Sequence, residues 1–275
     1  MKFTKNIFQV WFQGIDHLKT HKNGKIFMEN IKNWQLLNED WNYTLVTGDM
    51  LRKECAQFSK KCLDYFDSTD ILHIKIDLGR YAMLYNNGGI YVDMDMFALR
   101  GIDTNNEVNS LINSDEEFIG FSEMNLNTFE TLMFAGKFSL VNNGMMIATK
   151  KNKVLYDMIN YIINKKLKDY KNNFLTVTNA TGPHIINNFL SSYKNPMIKI
   201  FPNYYFETTQ MTGLSKISDQ TICIHTIDNS WVDPKLKYLS KIYFTLKPYI
   251  LCILIFIIAL YFINKKCNKI CKVNS

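Results

Sequence analysis

The sequence predicts an α/β protein with a single mixed, mostly parallel sheet flanked by helices, followed by one C-terminal transmembrane helix. Apolar strands and amphipathic helices alternate along the N-terminal half, which is typical of parallel sheets. The chain has 275 residues, 47% of them hydrophobic, enough for one sizeable domain and an accessory segment. Near the C-terminus an uncharged apolar run is typical of a membrane-spanning helix.

The first half of the chain shows two strand–helix pairs. Apolar residues predict a buried strand over 5–11, and helical spacing predicts a helix over 25–37. Alternating residues predict a second strand over 41–46. A helix over 50–58 follows, with Asp49 as its N-cap. This order favours a layered α/β structure.

The next helix ends beside two closely spaced aspartates. It starts after residues 68–69, whose hydroxyls are capping candidates, and stops at residues 86–89, because Asn and Gly tolerate a left-handed cap. A buried strand over 90–92 then leads into Asp93 and Asp95. Two carboxylates at the end of an apolar strand are costly unless a positive charge meets them, as Mg²⁺ or Mn²⁺ would. Solvated turn aspartates are the alternative.

The residues around this pair form a longer ordered pattern, Asp77-x-x-Arg80 and then Gly88-Gly89-Ile90-Tyr91-Val92-Asp93-x-Asp95. The pattern resembles the sugar-binding segment of Asp-x-Asp glycosyltransferases. The group concerned is glycosyltransferase family 32-like, with initiating α-1,6-mannosyltransferases and inositol-phosphoceramide mannosyltransferases; clostridial toxin glucosyltransferase domains are more distant. The resemblance implies a GT-A fold and transfer of a hexose, with retention, from a nucleotide sugar to a glycan or glycolipid. It favours mannose from GDP-mannose, with UDP-sugars as the other donor class.

The resemblance also implies roles for particular residues. Asp77 binds hydroxyls of the donor sugar, Arg80 contacts the sugar or diphosphate, and Tyr91 lines the donor site. Asp93 and Asp95 hold Mn²⁺ or Mg²⁺ and, with Arg80, form the catalytic group. A plain ion pair between Asp77 and Arg80, three residues apart on one helix, is an alternative that can coexist with donor binding.

The resemblance also implies roles for residues near the start of the chain and for residues near position 225. The resemblance places Trp11 against the nucleotide base, although a core tryptophan is an equal alternative. His225 follows a strand over 222–224 and is the implied third metal ligand, with a hydrogen-bonded structural histidine as the alternative. Ser230 and Trp231 are the implied contacts of the diphosphate.

The remaining elements are predicted from apolar periodicity. They are a strand over 118–121, a turn and strand over 141–148, a helix over 152–168 and a helix beginning at Pro183.

Composition narrows the possible partners. The net charge of +7 is modest and the lysines are scattered, so we expect no nucleic-acid groove. The six cysteines form no Cys-x-x-Cys pair and lie at no zinc spacing, a pattern that favours a reducing compartment.

The C-terminal segment predicts the location of the protein. Residues 248–263 carry no charge and would span about 24 Å as a helix, close to the ~30 Å hydrocarbon core. We therefore expect a glycosyltransferase domain over 1–240, a transmembrane helix over 241–264 and a basic tail over 265–275. With no apolar signal in the first 14 residues, this predicts a single-pass tail anchor, a membrane partner and a cytosolic catalytic domain.

Two other functions are compatible with parts of this sequence. A strand followed by Asp93-Met94-Asp95 is also typical of haloacid-dehalogenase-like phosphohydrolases. That class wants Thr or Val where Phe97 stands, together with a late acidic pair, so this hypothesis is discounted. A sugar-nucleotide-binding protein without turnover is the third hypothesis, although every charged group needed for transfer is present.

Overall fold

In the computed structural model, the residues that are described form two units, Met1–Asp228 and Asn229–Ser275. They are residues 3–126, 131–132, 140–168, 173–209, 216–226, 238–239, 242–243, 245–246, 249 and 255–261. The predicted domain boundary at residue 240 lies outside these ranges and stays a prediction.

A six-stranded mixed sheet forms the centre of the first unit, in the order β2-β1-β3-β6-β5-β7. Its strands are β1 Asn6–Val10, β2 Asn42–Val46, β3 Gly89–Val92, β5 Ile119–Glu123, β6 Val141–Ala148 and β7 Ile198–Phe201. The β1–β2, β1–β3 and β5–β7 pairs are parallel, and β6 is antiparallel to β3 and β5. The predicted mixed sheet is therefore observed.

The prediction of a single sheet is wrong. A second, two-stranded sheet pairs β4 Met96–Ala98 with β8 Cys223–His225 in antiparallel register. The strand β4 has only three residues and follows the Asp-x-Asp pair directly, so its sequence carries no alternation long enough to show a strand.

Helices cover both faces of the large sheet. They are α1 Ile15–Thr20, α2 Gly24–Leu37, α3 Gly48–Phe58, α4 Lys60–Asp67, α5 Leu72–Asn87, α6 Asn106–Ile112, α7 Lys153–Ile163, α8 Asn173–Ala180, α9 Pro183–Ser192 and α10 Asn203–Phe206. One core contains Phe8 and Tyr91 with Leu78 of α5; the opposite core contains Ile7 and Ile90 with Trp34 of α2. Alternate strand residues thus enter opposite cores, as the two-residue strand period requires.

Several details of the predicted helices need correction. The N-cap of α3 is Thr47, whose hydroxyl accepts from the Met50 amide, rather than Asp49. The N-cap of α5 is Ile71, without a side-chain cap bond, so neither predicted hydroxyl at residues 68–69 caps it. The helix α7 ends at Ile163, not at residue 168.

The helix that carries Asp77 and Arg80 is held tightly in place. A Cβ added to Gly79 would lie 2.7 Å from Leu51 Cβ, so the glycine permits close contact between α5 and α3. At the C-terminal end, Gly88 and Gly89 have φ values of 68° and 115°, which confirms the predicted glycine stop. The chain therefore turns sharply from α5 into β3 and the aspartates.

Among the residues that are described, no helix is both long enough and apolar enough to cross a bilayer. This finding overturns the predicted transmembrane helix over 241–264, and with it the single-pass anchor with a cytosolic catalytic domain. Of the predicted segment, the structure describes residues 242–243, 245–246, 249 and 255–261, and the others lie outside the described residues.

Candidate functional site

The two aspartates and the histidine predicted as metal ligands converge where β4 pairs with β8. The register sets Met96 opposite His225, which brings the histidine beside the Asp-x-Asp loop. His225 Nε2 lies 3.5 Å from Asp95 Oδ1. One ligand atom each from Asp93, Asp95 and His225 lies within 4.8 Å of the others, the one such group found in the part of the chain that is described.

This group fits a hard divalent cation. Two carboxylate oxygens and one imidazole nitrogen are ligand types that Mn²⁺ and Mg²⁺ accept. A Cβ on Gly144 would lie 2.8 Å from Asp93 Oδ2, so the glycine leaves this carboxylate oxygen the space that a side chain would take. Gly144 lies in β6, within the stretch over 141–148 that the sequence predicted as a turn and a strand, and its contact with Asp93 could not be inferred from the sequence pattern.

Hydrogen bonds from neighbouring side chains fix the backbone of the Asp-x-Asp loop. Gln9 donates to the carbonyl of residue 93 at 3.1 Å. Asn30 donates to the carbonyls of residues 94 and 96 at 3.1 and 2.9 Å, and Trp34 donates to the latter at 3.0 Å. The hydroxyl of Thr226 donates to the carbonyl of residue 95 at 3.1 Å. The loop is therefore held rigidly before any ligand binds.

Arg80 connects Asp77, the predicted sugar-binding residue, with Asp93, a predicted metal ligand. Its Nη2 donates to Asp77 Oδ1, and its Nη1 donates to Asp93 Oδ1 at 2.9 Å. The predicted ion pair between Asp77 and Arg80 is thus present, and both side chains are over nine-tenths buried. Arg80 Nε is buried without a hydrogen-bond partner. The arginine places a fixed positive charge beside the aspartates.

Asp77 is the centre of a buried hydrogen-bond network. Asn143 Nδ2 donates to Asp77 Oδ1 at 3.1 Å, and Thr181 Oγ1 donates to Asp77 Oδ2 at 2.9 Å. Tyr81 in turn donates to the Thr181 carbonyl at 2.7 Å. Both oxygens of Asp77 thus have partners within the protein, and its predicted contact with donor hydroxyls stays a prediction.

Asp93 titrates unusually because of its surroundings. Burial raises its pKa to about 6, Arg80 opposes that change, and the neighbouring charge of Asp95 adds to it. The Tyr91 hydroxyl donates to Asp93 Oδ1, and the Arg80 guanidinium lies 4.8 Å from the centre of the Tyr91 ring. Tyr91, predicted to line the donor site, therefore contacts both the carboxylate of Asp93 and the guanidinium of Arg80.

His225 lies between two carboxylates. Its Nδ1 is 2.7 Å from Glu207 Oε2, and its Nε2 faces Asp95. Burial lowers the pKa of His225, but Glu207 and Asp95 raise it more, so its pKa lies well above the ordinary value. Glu207 was missed from the sequence, since no motif marks it.

Trp11 lies at the end of β1, near the Asp-x-Asp loop. Its indole Nε1 donates to His17 Nδ1 at 3.1 Å, and its ring contacts His21 and Phe27 with centroids 5.0 and 5.8 Å away. It remains half-buried, in a small apolar cluster with Met94. The other two predicted donor contacts, Ser230 and Trp231, lie outside the described residues.

Sequence comparisons define the class of protein. Residues 24–117, which include the Asp-x-Asp pair, match the family described as "Glycosyltransferase sugar-binding region containing DXD motif". This match supports the predicted ligand classes, a nucleotide sugar with a divalent cation and a glycan acceptor. It gives no support to the predicted membrane partner.

The chain is also similar to individual proteins. The chain is 27% identical over 254 residues to an uncharacterized glycosyltransferase, L373, of Acanthamoeba polyphaga mimivirus, covering 86% of each chain. It is 28% identical over 104 residues to the initiation-specific alpha-1,6-mannosyltransferase of Candida albicans, covering 37% of this chain and 26% of that one. The catalytic domain of alpha-toxin from Clostridium novyi aligns at 10% identity with a TM-score of 0.46, covering 88% of this chain and 83% of that one. The family and sequence matches confirm the predicted resemblance: the chain is a glycosyltransferase.

Proposed function

We propose that the protein transfers a hexose from a nucleotide-diphosphate sugar to a hydroxyl of a glycan or glycolipid, in a GT-A-like fold and with Mn²⁺ as cofactor. The observation that carries this proposal is the convergence of Asp93, Asp95 and His225 within 4.8 Å, beside the buried Arg80. A glycosyltransferase needs positive charge where its diphosphate leaving group forms, and this site can supply it.

The cation would be held by Asp93, Asp95 and His225. When bound, Mn²⁺ or Mg²⁺ neutralises charge on the diphosphate leaving group. The side chain of Asp93 is one-third exposed and that of Asp95 about one-fifth, so both carboxylates can be reached from solvent. These exposures are what a site for a soluble co-substrate requires.

Arg80 contributes a permanent charge to the same place. Its hydrogen bond to Asp93 favours the ionised form of that carboxylate, which is the form that binds a cation. Asp77 holds the guanidinium from the other side, so the arginine cannot turn away. We assign Arg80 to the diphosphate or sugar and Asp77 to the sugar hydroxyls, with Tyr91 packed against the guanidinium.

The nucleotide base is assigned to Trp11. The indole is half-buried, and a flat aromatic ring offers stacking area at little entropic cost. Ser230 and Trp231, which lie outside the described residues, are assigned to the diphosphate by the sequence resemblance alone. The choice of mannose rests on the sequence resemblance and on the name of the Candida albicans relative, an alpha-1,6-mannosyltransferase. The choice of GDP and the retention of anomeric configuration rest on the resemblance alone.

The test is hydrolysis of GDP-mannose and UDP-sugars by the purified protein, with Mn²⁺ and with EDTA, in wild type and Asp95→Asn. We expect turnover with one donor, its loss in EDTA, and its loss in the variant without loss of the folded state. Turnover that is unaffected by EDTA and by Asp95→Asn would contradict the metal assignment. Hydrolysis of a simple phosphate ester without sugar-nucleotide turnover would indicate the phosphohydrolase, and donor binding without turnover would indicate the inactive binding protein.

A further inference from the structure

The buried carboxylate of Glu207 lies directly behind the histidine of the site. Glu207 is 3% exposed and lies just after the short helix α10. One of its oxygens, Oε2, is 2.7 Å from His225 Nδ1, and the other, Oε1, accepts from Asn142 Nδ2 at 2.9 Å. Both oxygens therefore have a defined partner within the protein.

This arrangement determines which ring nitrogen is available. A carboxylate can only accept, so the bond to Glu207 requires a proton on Nδ1 of His225. In the neutral imidazole, Nε2, which lies 3.5 Å from Asp95 Oδ1, then carries the lone pair that a cation would take up in place of a proton. Asn142 prevents the carboxylate from turning, and the hydrogen bond from the His225 amide to the Thr208 carbonyl, at 3.0 Å, fixes the backbone.

We propose that Glu207 is the positioning residue of the site: it orients His225 so that Nε2 faces Asp93 and Asp95, and it makes the imidazole a stronger ligand. The proposal rests on the proposed metal function and adds a residue to it. Carboxylate partners behind metal-binding histidines typically contribute a factor of about 10 to 100 to metal affinity. Glu207 would therefore act through His225.

The experiment measures Mn²⁺ affinity directly, by the electron paramagnetic resonance signal of free Mn²⁺, in the full chain. We expect Glu207→Ala to weaken binding about 10- to 100-fold. We expect Glu207→Gln, whose amide oxygen can still accept from Nδ1–H, to fall between the alanine variant and wild type. His225→Ala gives the reference for loss of the ligand itself.

The matched control is Glu54→Ala. Glu54 also holds amide groups with both carboxylate oxygens, those of Asn86 and Asn87, but on α3, away from the ligand group. It should leave Mn²⁺ affinity unchanged. Thermal unfolding of each variant reports whether the fold survives, and the isosteric glutamine variant keeps the test valid if the alanine variant unfolds.

The outcomes separate the two proposals. Wild-type Mn²⁺ affinity in Glu207→Ala, with binding lost in Asp95→Asn, would overturn the role of Glu207 and leave the proposed function standing. Equal losses in Glu207→Ala and Glu54→Ala would also overturn it, because the effect would then be one of general stability. A wild-type protein that binds no Mn²⁺ would overturn the proposed metal function itself.

Discussion

Replacement of Arg80 by lysine tests whether the guanidinium links Asp77 to Asp93, an arrangement called the bridge below. The guanidinium donates to Asp77 and Asp93 through different nitrogens, and the side chains of Arg80 and Asp77 are 6% and 8% exposed. A lysine ammonium is a point charge that cannot repeat this planar fork, so one carboxylate loses its partner. A charge-assisted hydrogen bond contributes about 1.5 to 3 kcal/mol, and we expect the free energy of unfolding to fall by about 2 to 3 kcal/mol.

The measurement is thermal unfolding of wild type and variant, together with donor hydrolysis. A loss of this size lowers the Tm by about 4 to 12 °C in a domain of this length. The matched control is Arg52→Lys, which breaks a two-point pair with Asp67 whose side chains are 53% and 40% exposed. Exposed pairs contribute at most about 1 kcal/mol, so the control should change little. Equal Tm values for wild type and Arg80→Lys would refute the bridge.

Two further predictions concern packing and pH. Gly144→Ala places a Cβ 2.8 Å from Asp93 Oδ2, so the carboxylate must move. We therefore expect Mn²⁺ affinity to fall by about 10-fold, equivalent to about 1.4 kcal/mol. Unchanged Mn²⁺ affinity would contradict this contact. Burial opposes ionisation of Asp157, but hydrogen bonds from Lys153 and a tyrosine outweigh it and lower its pKa. Because the folded-state pKa is lowered, the stabilisation is present above the unfolded pKa of about 3.9 and is lost as pH falls through the folded value. Urea unfolding of wild type and Asp157→Asn between pH 3 and 7 should show a stability difference that shrinks at the acidic end; a constant difference would contradict this.

The residues predicted from the sequence are those that a local pattern marks. Asp93 and Asp95 follow an apolar strand, and Arg80 lies on a helix that stops at two glycines. These residues could be predicted because charged side chains in apolar segments are costly unless they have a function or a partner. The helix face of α2 shows where such reasoning ends. The apolar spacing that predicts this helix includes both Ile26 and Phe27, yet Ile26 is 52% exposed and Phe27 is 6% exposed. Periodicity gives the direction of a face, but its width depends on what packs against it.

The residues that were missed act through contacts between distant segments. Gln9 is fully buried within an apolar strand, and that polar residue in an apolar run was the one signal available for it. Asn30 and Glu207 have no such signal, because their partners are backbone carbonyls and a histidine far away in the chain. Their roles depend on the pairing of β4 with β8. The sequence predicted a strand over 222–224, close to β8, but it did not predict the three-residue β4, so the pairing itself could not be foreseen.

That pairing explains why the site needs so many buried hydrogen bonds. The two-stranded sheet has three residue pairs, and an isolated two-stranded ladder is marginal in water. It must hold Thr226 against Asp95 across 131 residues of sequence. Asn30 and Trp34 fix the β4 side through the Met96 carbonyl, and Glu207 fixes the β8 side through its bond to His225. The geometry of the ligand group is therefore determined by buried polar side chains from other elements, so that substitutions there should affect metal binding before they affect the fold of the large sheet.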